Sequence, residues 1–464
     1  MAGIGFELRK IYGRKTLVSN IWGSIYATMT AVGPSVLAAV LILVLKFLMD
    51  RAGITELESR FFISSFTYIF LIAILVSAFF STTLSRYISD CVFEKAEHDI
   101  GASVFGTLTV GTVLSGILLL LLCACMYLYS GIPLFFLIIY YCLGVFVTDT
   151  YNIMTYVSAL KQYKEITFSY FAGMFLAGIL YYVCAYVLRM HIVLAAYLAL
   201  ACGYFLVVFL LVFWCMKAFG KPGQRYFTCL KYFARYPKLT VSGFCYMLGF
   251  YITTMIYWNF SDMREQVSIF RTAPNYDLAM FMAIAVNMSA LVIFVVKAET
   301  AFFDKYVAYL SAVNQGSYVR IEKERENMNN TIHYQLFFVY GVQLIITVIL
   351  ICLANVFFPY LNISAQVLHM FMILSMGLYT VFCMYFTVIF LYYFEDHAGA
   401  CIGPCVFLLV TAVLAVAACI YGKPLYPLPL LIGGMCGWVL SFWRLRYRLA
   451  HLNAFLMCRR KEDM

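Results

Sequence analysis

Twelve apolar stretches, each of about 20 residues or more, follow one another from residue 21 to residue 443 and leave little chain between them. A helix rises about 1.5 Å per residue, so about 20 such residues cross the roughly 30 Å hydrocarbon core of a bilayer. On that ruler, spans are expected near residues 21–48, 62–85, 104–128, 133–156, 166–188 and 192–216, then near 239–258, 278–298, 334–357, 366–394, 402–421 and 426–443. Lipid offers no hydrogen-bond partners, so such a chain must close its backbone bonds within helices. The pattern predicts an all-α integral membrane protein with about twelve transmembrane helices, grouped six and six around the basic segment 217–238.

Composition excludes the main alternatives. Of 464 residues, 64% are hydrophobic and 12% charged, against roughly 25% charged in soluble domains. Charge is depleted along the whole length, which leaves no segment able to build a water-soluble core. Most of the 16 cysteines lie inside apolar runs, as Cys142, Cys184, Cys202 and Cys419 do, where a free thiol acts as a small hydrophobe. Cys123 and Cys125 fall about 200° apart on a helix and cannot chelate together. Cys401 and Cys405 share a face but have no histidine or carboxylate spaced to complete a set. The six histidines are scattered singly, and no HExxH, GxSxG or Walker-type glycine loop occurs. The sequence therefore predicts no catalytic residues, no metal centre and no cofactor.

Most of the 32 lysines and arginines fall in alternate connections and at both ends of the chain. The positive-inside rule then places both termini in the cytoplasm of a multi-pass plasma-membrane protein. The first apolar run is too long for the core of a cleavable signal peptide. Ahead of it, residues 1–20 form an amphipathic segment, with Ile4, Leu8 and Ile11 on one helical face and Glu7, Lys10 and Arg14 on another. The linker 217–238 interleaves basic residues with Tyr226, Phe227, Tyr232, Phe233 and Tyr236, a pattern suited to anionic lipid rather than nucleic acid. Residues 303–333 form a long cytoplasmic loop whose Arg320–Glu326 stretch alternates in charge sign, either as a solvated helix or as a docking surface. A basic tail closes the chain at 444–464.

Ionisable groups inside spans are costly and mark candidate sites. Asp149 lies deep in the fourth span beside Asn152; it wants a cation, a proton, a wet cavity or a reachable headgroup. Lys297 and Glu299 close the eighth span, where Lys297, like Lys46 and Arg86, can also snorkel. Asp262, Arg264, Glu265, Arg271 and Asp277 crowd the loop before that span, either as a mixed-sign surface or as the rim of an exit mouth. Gly33-Pro34, Gly243, Gly249 and Pro404 interrupt spans, as helices beside a cavity or a moving bundle often do. Aromatics reach 18% with 37 tyrosines. Interfacial belts account for part of that share, and stacking on sugar rings is a further use.

Specific residues add a family resemblance. The opening Met1-Ala2-Gly3-Ile4-Gly5-Phe6-Glu7-Leu8-Arg9-Lys10 resembles the start of the PelG exopolysaccharide transporter family. Similarity continues through Ser158-Ala159-Leu160-Lys161-Gln162-Tyr163, Arg235-Tyr236-Pro237, Ser242-Gly243, Tyr246, Gly249 and Trp258, then Pro274, Tyr276-Asp277 and Phe281, and Glu299-Thr300, Phe303 and Tyr306. Beyond residue 310 or so the likeness is one of span pattern. The resemblance implies the MATE-like fold of the multidrug/oligosaccharidyl-lipid/polysaccharide flippase (MOP) superfamily, with two six-helix lobes, 21–216 and 239–443, facing a central cavity. It also implies work beside a cytoplasmic PelF-like glycosyltransferase and other Pel membrane subunits, on a polymer partly made of free amino sugars. One departure stands out: the family has an Asp-Lys pair after the seventh-span glycine where this chain has Thr253-Thr254.

The expected function is thus non-enzymatic export of an amino-sugar polysaccharide through the lipid bilayer, with Asp149, Asn152, Tyr276, Asp277, Lys297 and Glu299 as candidates for the substrate path. Other readings remain open at this point: a flippase for lipid-linked oligosaccharide, a cation-coupled drug antiporter, or a non-transporting anchor subunit of a polysaccharide synthase. A major-facilitator carrier is disfavoured because Arg86-Tyr87-Ile88-Ser89-Asp90 stands where its signature would be. An integral-membrane acyltransferase is the least expected reading.

Overall fold

The computed structural model describes residues 33–159, 163–220, 222–361 and 363–457. The amphipathic segment 1–20, the start of the first span, Leu160-Lys161-Gln162 and residues 458–464 of the tail lie outside the described residues. In chain order the helices are α1 (Gly33–Arg51), α2 (Glu56–Phe93), α3 (Glu97–Ser130), α4 (Leu134–Ala159), α5 (Tyr163–Tyr182) and α6 (Ile192–Phe219). A short surface helix α7 (Thr228–Arg235) leads into α8 (Pro237–Phe260), followed by a hairpin of β1 (Glu265–Val267) and β2 (Phe270–Thr272). Then come α9 (Pro274–Ile293), α10 (Thr300–Gln315), α11 (Tyr318–Phe357), α12 (Ala365–Tyr393), α13 (His397–Tyr421), α14 (Leu428–Ala450) and α15 (Leu452–Met457). Among the described residues, 11 helices are long and apolar enough to cross a membrane, and α1 occupies the described part of the first expected span. The protein is a multi-pass membrane protein.

Local chemistry explains where the helices start and stop. Thr55 caps α2 through a reciprocal box, accepting from the Glu58 N–H at 3.3 Å while its own N–H donates to Glu58 Oε2 at 3.0 Å. Asp396 caps α13, accepting from the Gly399 N–H at 3.0 Å. Pro237 and Pro274 open α8 and α9, where a missing N–H costs nothing. Gly131 ends α3 at φ 61°, a left-handed turn that favours glycine.

Two sets of helices pack separately. In the first, α4 lies against α2, α3 and α6, and α5 against α6; in the second, α13 lies against α8 and α14, while α12 lies against α9 and α14. Lipid gives no hydrophobic push between helices, so close approach of small residues matters. Gly173 of α5 and Gly203 of α6 meet face to face: a Cβ on Gly203 would lie 2.7 Å from the Gly173 carbonyl oxygen. Leu121, Phe209, Ile345, Val413 and Val439 project outward, all more than half exposed, as side chains in contact with lipid would.

The sets meet along α2 and α8, which run antiparallel. At the basic end, which carries Arg86, Lys238 and Arg444, Thr82 Oγ1 donates to the Leu239 carbonyl at 3.0 Å and the Thr83 and Thr240 hydroxyls are 2.7 Å apart. Arg86 pairs with Glu395 at 2.9 Å and sits over the Tyr236 ring. At the opposite, hairpin end, the β-hairpin reaches back over the first set. Arg60 pairs with Glu265 at 2.7 Å, and Phe270 packs edge-on against Tyr68 and Phe61.

Two boundaries differ from expectation. The eighth span begins at Pro274 rather than 278, because Asn275, Tyr276 and Asp277 form a polar first turn behind the proline. It then runs through a π-helical turn, Phe294–Glu299, straight into α10. Lys297 and Glu299 therefore sit in a continuous helical rod rather than at a helix end. The 303–333 segment is itself helical on both sides of a break at Gly316-Ser317, and the 40 residues of α11 extend past the bilayer at the basic end.

Candidate functional site

The candidate residues resolve into three places. Asp149 and Asn152 lie together between α3 and α4. Both are buried, 7% and 1% exposed, and the Thr112 hydroxyl of α3 faces the carboxylate, 3.3 Å from Oδ1 and 3.0 Å from Oδ2. Neither polar atom of the Asn152 amide has a hydrogen-bond partner. Gly111 makes the close approach possible: a Cβ there would collide with Asn152 Nδ2 and stand 3.8 Å from Asp149 Oδ1. Tyr151, on the same turn, faces elsewhere, edge-on to Phe70 of α2 at 5.8 Å and within electrostatic reach of Tyr251 of α8. The acid thus sits one helix wall behind the seam between the two sets.

Tyr276 and Asp277 lie at the hairpin end, on that seam. Trp258 Nε1 donates to both Asp277 oxygens, at 3.1 and 3.0 Å, and the Ala273 N–H donates at 3.1 Å. The Trp258 ring stacks on Tyr68 of α2, with centroids 4.8 Å apart and planes 18° apart. Tyr68 in turn donates its hydroxyl to the Arg271 carbonyl at 2.9 Å. Tyr276 is fully buried and donates to Thr253 Oγ1 at 2.9 Å, while Tyr257 stands edge-on to it at 4.8 Å. Thr253 is fully buried, a neutral hydroxyl partner of Tyr276. Tyr426 donates to Asp262 Oδ1 at 2.7 Å; burial and that carboxylate together push its phenol up to about 12.

Lys297 is exposed in the π-helical turn, on the other side of the membrane span from Asp277. The Glu299 backbone lies in the same turn, and its side chain lies outside the described residues. The structure therefore brings Asp149 together with Asn152 and Tyr276 together with Asp277, and keeps the three places apart.

Sequence reading missed the partners. Thr112 is an ordinary residue of an apolar helix, and nothing local announces that α3 turns it toward Asp149. The second set carries a polar cluster of its own, between α9, α11 and α12. Asn287 donates to the Ser375 carbonyl at 3.0 Å, Ser289 donates to Gln343 Oε1 at 2.8 Å, and Gln343 Nε2 donates to Thr347 Oγ1 at 3.2 Å. Those side chains are uncharged and bonded to one another, while the Ser375 hydroxyl beside them lacks a partner. Only tertiary contact assembles the cluster.

Known structures share this architecture. An outward-facing multidrug resistance MATE family transporter of the MOP superfamily superposes with a TM-score of 0.63 at 13% identity, covering 93% of this chain and 96% of that one. A MOP superfamily transporter from Pyrococcus furiosus Vc1 (DSM3638) gives 0.64 at 13% identity over the same shares, and a MATE in the straight conformation gives 0.60 at 14%, again over 93% and 96%. At such identities the likeness is one of fold. No curated protein matches the chain. The sequence model of PelG, described as "Putative exopolysaccharide Exporter (EPS-E)", matches residues 1–456. That match covers nearly the whole sequence, including the segments on which the resemblance was read, and the chain accordingly belongs to the PelG family.

Proposed function

We propose that this transporter exports an amino-sugar exopolysaccharide across the cytoplasmic membrane, with both termini in the cytoplasm, receiving the growing chain from a PelF-like glycosyltransferase and working with other Pel membrane subunits. In this reading 21–216 and 239–443 are the two lobes, joined by the linker 217–238, and the polymer passes along the seam between α2 and α8. The observation that carries the reading is the Tyr68–Trp258–Asp277 arrangement at the hairpin end. Stacked aromatic faces suit the C–H faces of sugar rings, and a carboxylate beside them suits a protonated amine.

Asp277 and Tyr276 then serve the exit, Lys297 and Glu299 the basic-end entrance, and Asp149 and Asn152 act from behind the lining through Tyr151. A polycation leaving a negative interior moves uphill by about 2.3 kcal/mol per charge per 100 mV, so export draws on chain synthesis or on an ion. Deleting the gene and measuring secreted amino-sugar polymer tests the proposal. Secretion should vanish and return with the wild-type copy; unchanged secretion would overturn it.

A further inference from the structure

We infer that Asp149, Thr112 and Asn152 form a binding site for one dehydrated alkali-metal cation, Na+ in the first instance, held inside the first helix set between α3 and α4. A carboxylate at this depth must be neutralised or paired. Among the described residues no cation pairs with Asp149, and the Thr112 hydroxyl is its one polar partner. Hydrogen bonding to one hydroxyl leaves most of the carboxylate's acceptor capacity unused.

The second observation is independent of the acid. Asn152 is 1% exposed, and its amide oxygen and nitrogen both lack partners. Buried amides are almost always satisfied, and this one, with both polar atoms unpartnered beside a carboxylate, is free to serve as a ligand. The amide and the carboxylate both face Gly111, where a Cβ would collide with Asn152 Nδ2 and stand 3.8 Å from Asp149 Oδ1. Rotating the amide exchanges its oxygen and nitrogen, which lets the carbonyl oxygen face the ion beside the Asp149 and Thr112 oxygens.

Charge selects the class of ion. Among the described residues no three His, Cys, Asp or Glu side chains converge, and divalent cations are usually held by several carboxylates or by waters. One carboxylate with two neutral oxygens balances a single positive charge. In the second helix set the side chains of Asn287, Ser289, Gln343 and Thr347 are uncharged and bonded to one another, while the Ser375 hydroxyl beside them lacks a partner.

The test uses the purified full-length protein in detergent and needs no polymer, so it stands apart from the export proposal. Binding of radioactive Na+ and thermal unfolding are measured in NaCl against N-methyl-D-glucamine chloride at equal ionic strength. The wild type should bind Na+ saturably and unfold at a higher temperature in its presence. Asp149→Asn and Thr112→Val should each weaken that response, the first by at least about tenfold, while Ser289→Ala in the other cluster should leave it intact. If Asp149→Asn does not fold, Thr112→Val and the wild-type ion comparison decide. A wild type without a Na+-specific effect would overturn the assignment, as would variants that bind as well as wild type or a response to pH alone.

Discussion

Arg86 on α2 and Glu395, in the turn between α12 and α13, form a 2.9 Å ion pair that joins the two helix sets at the basic end. Each side chain is about one-third exposed, and Asp90 also reaches Arg86 at 3.1 Å. If the seam opens at this end during transport, the pair must break. Glu395→Gln removes the charge and keeps the shape at a position held at φ 52°. It should favour the basic-end-open state by about 1 kcal/mol, or about fivefold in population. The check is maleimide labelling of Thr82→Cys, at the α2–α8 seam, in an otherwise cysteine-free background. Equal labelling in both backgrounds would show that the pair does not gate access.

The hairpin end offers a complementary lock. Ser130, at the end of α3, and Ser268, in the hairpin turn, have hydroxyls 2.5 Å apart. The double variant Ser130→Cys/Ser268→Cys should oxidise to a disulfide that fixes the hairpin to the first helix set. Polymer secretion should stop under oxidising conditions and recover with reductant, while each single variant stays active. A cross-linked protein that still exports would mean that the hairpin rides with the first set throughout the cycle.

Much of the fold was legible because hydropathy is a property of each segment alone. The spans could be read off apolar length, and the helical character of 320–326 off alternating charge. What stayed hidden depends on pairs of segments. Asp149 was conspicuous as a charge in lipid, yet its partner Thr112 lies 37 residues away on a separate, uncharged stretch of helix. Asp277 read as part of a charged loop because its neighbours Arg264, Glu265 and Arg271 belong to one. In the structure, Pro274 starts a helix beneath that loop, and the carboxylate turns inward to Trp258. Lys297 and Glu299 looked like a helix end because charge normally stops a span, whereas the π-helical turn carries the rod onward.

Asp396 carries a pH-dependent contribution to stability. Burial alone would raise its carboxyl, but the Arg444 Nε–H at 2.7 Å and the Gly399 N–H at 3.0 Å outweigh that and hold it below the ordinary carboxylate value. A lowered value stabilises the folded state above the unfolded pKa of about 3.9, and the gain is lost as pH falls through the folded value below it. Asp396→Ala should therefore cost about 1–3 kcal/mol at neutral pH. The gap from wild type should be constant down to about pH 4 and shrink below it. Thermal unfolding of both proteins across that range checks the sign, and a gap that widens in acid would contradict it.

Trp258 separates two contributions at the hairpin end, because one side chain makes both contacts. Its ring stacks on Tyr68, and its N–H feeds the Asp277 carboxylate. Trp258→Phe keeps an aromatic face and deletes the donor, leaving the carboxylate the Ala273 N–H, 3.1 Å from Oδ2. Losing a hydrogen bond to a charged group should cost about 1–3 kcal/mol of stability. The freed carboxylate should at the same time bind an amine-bearing sugar at least as well as before. Trp258→Leu removes the stacking as well and should abolish binding of amino-sugar oligomers. Asp277→Asn keeps the stack and, with its amide oxygen in the place of Oδ2, an acceptor for Trp258 and Ala273, but discards the charge and the second acceptor, so it should weaken binding of free-amine oligomers while sparing their N-acetylated counterparts. Calorimetric titration of the purified variants with both oligomer types reads these outcomes directly. If Asp277→Asn lost affinity for both types alike, the carboxylate would be holding Trp258 in place rather than reading the charge on the sugar.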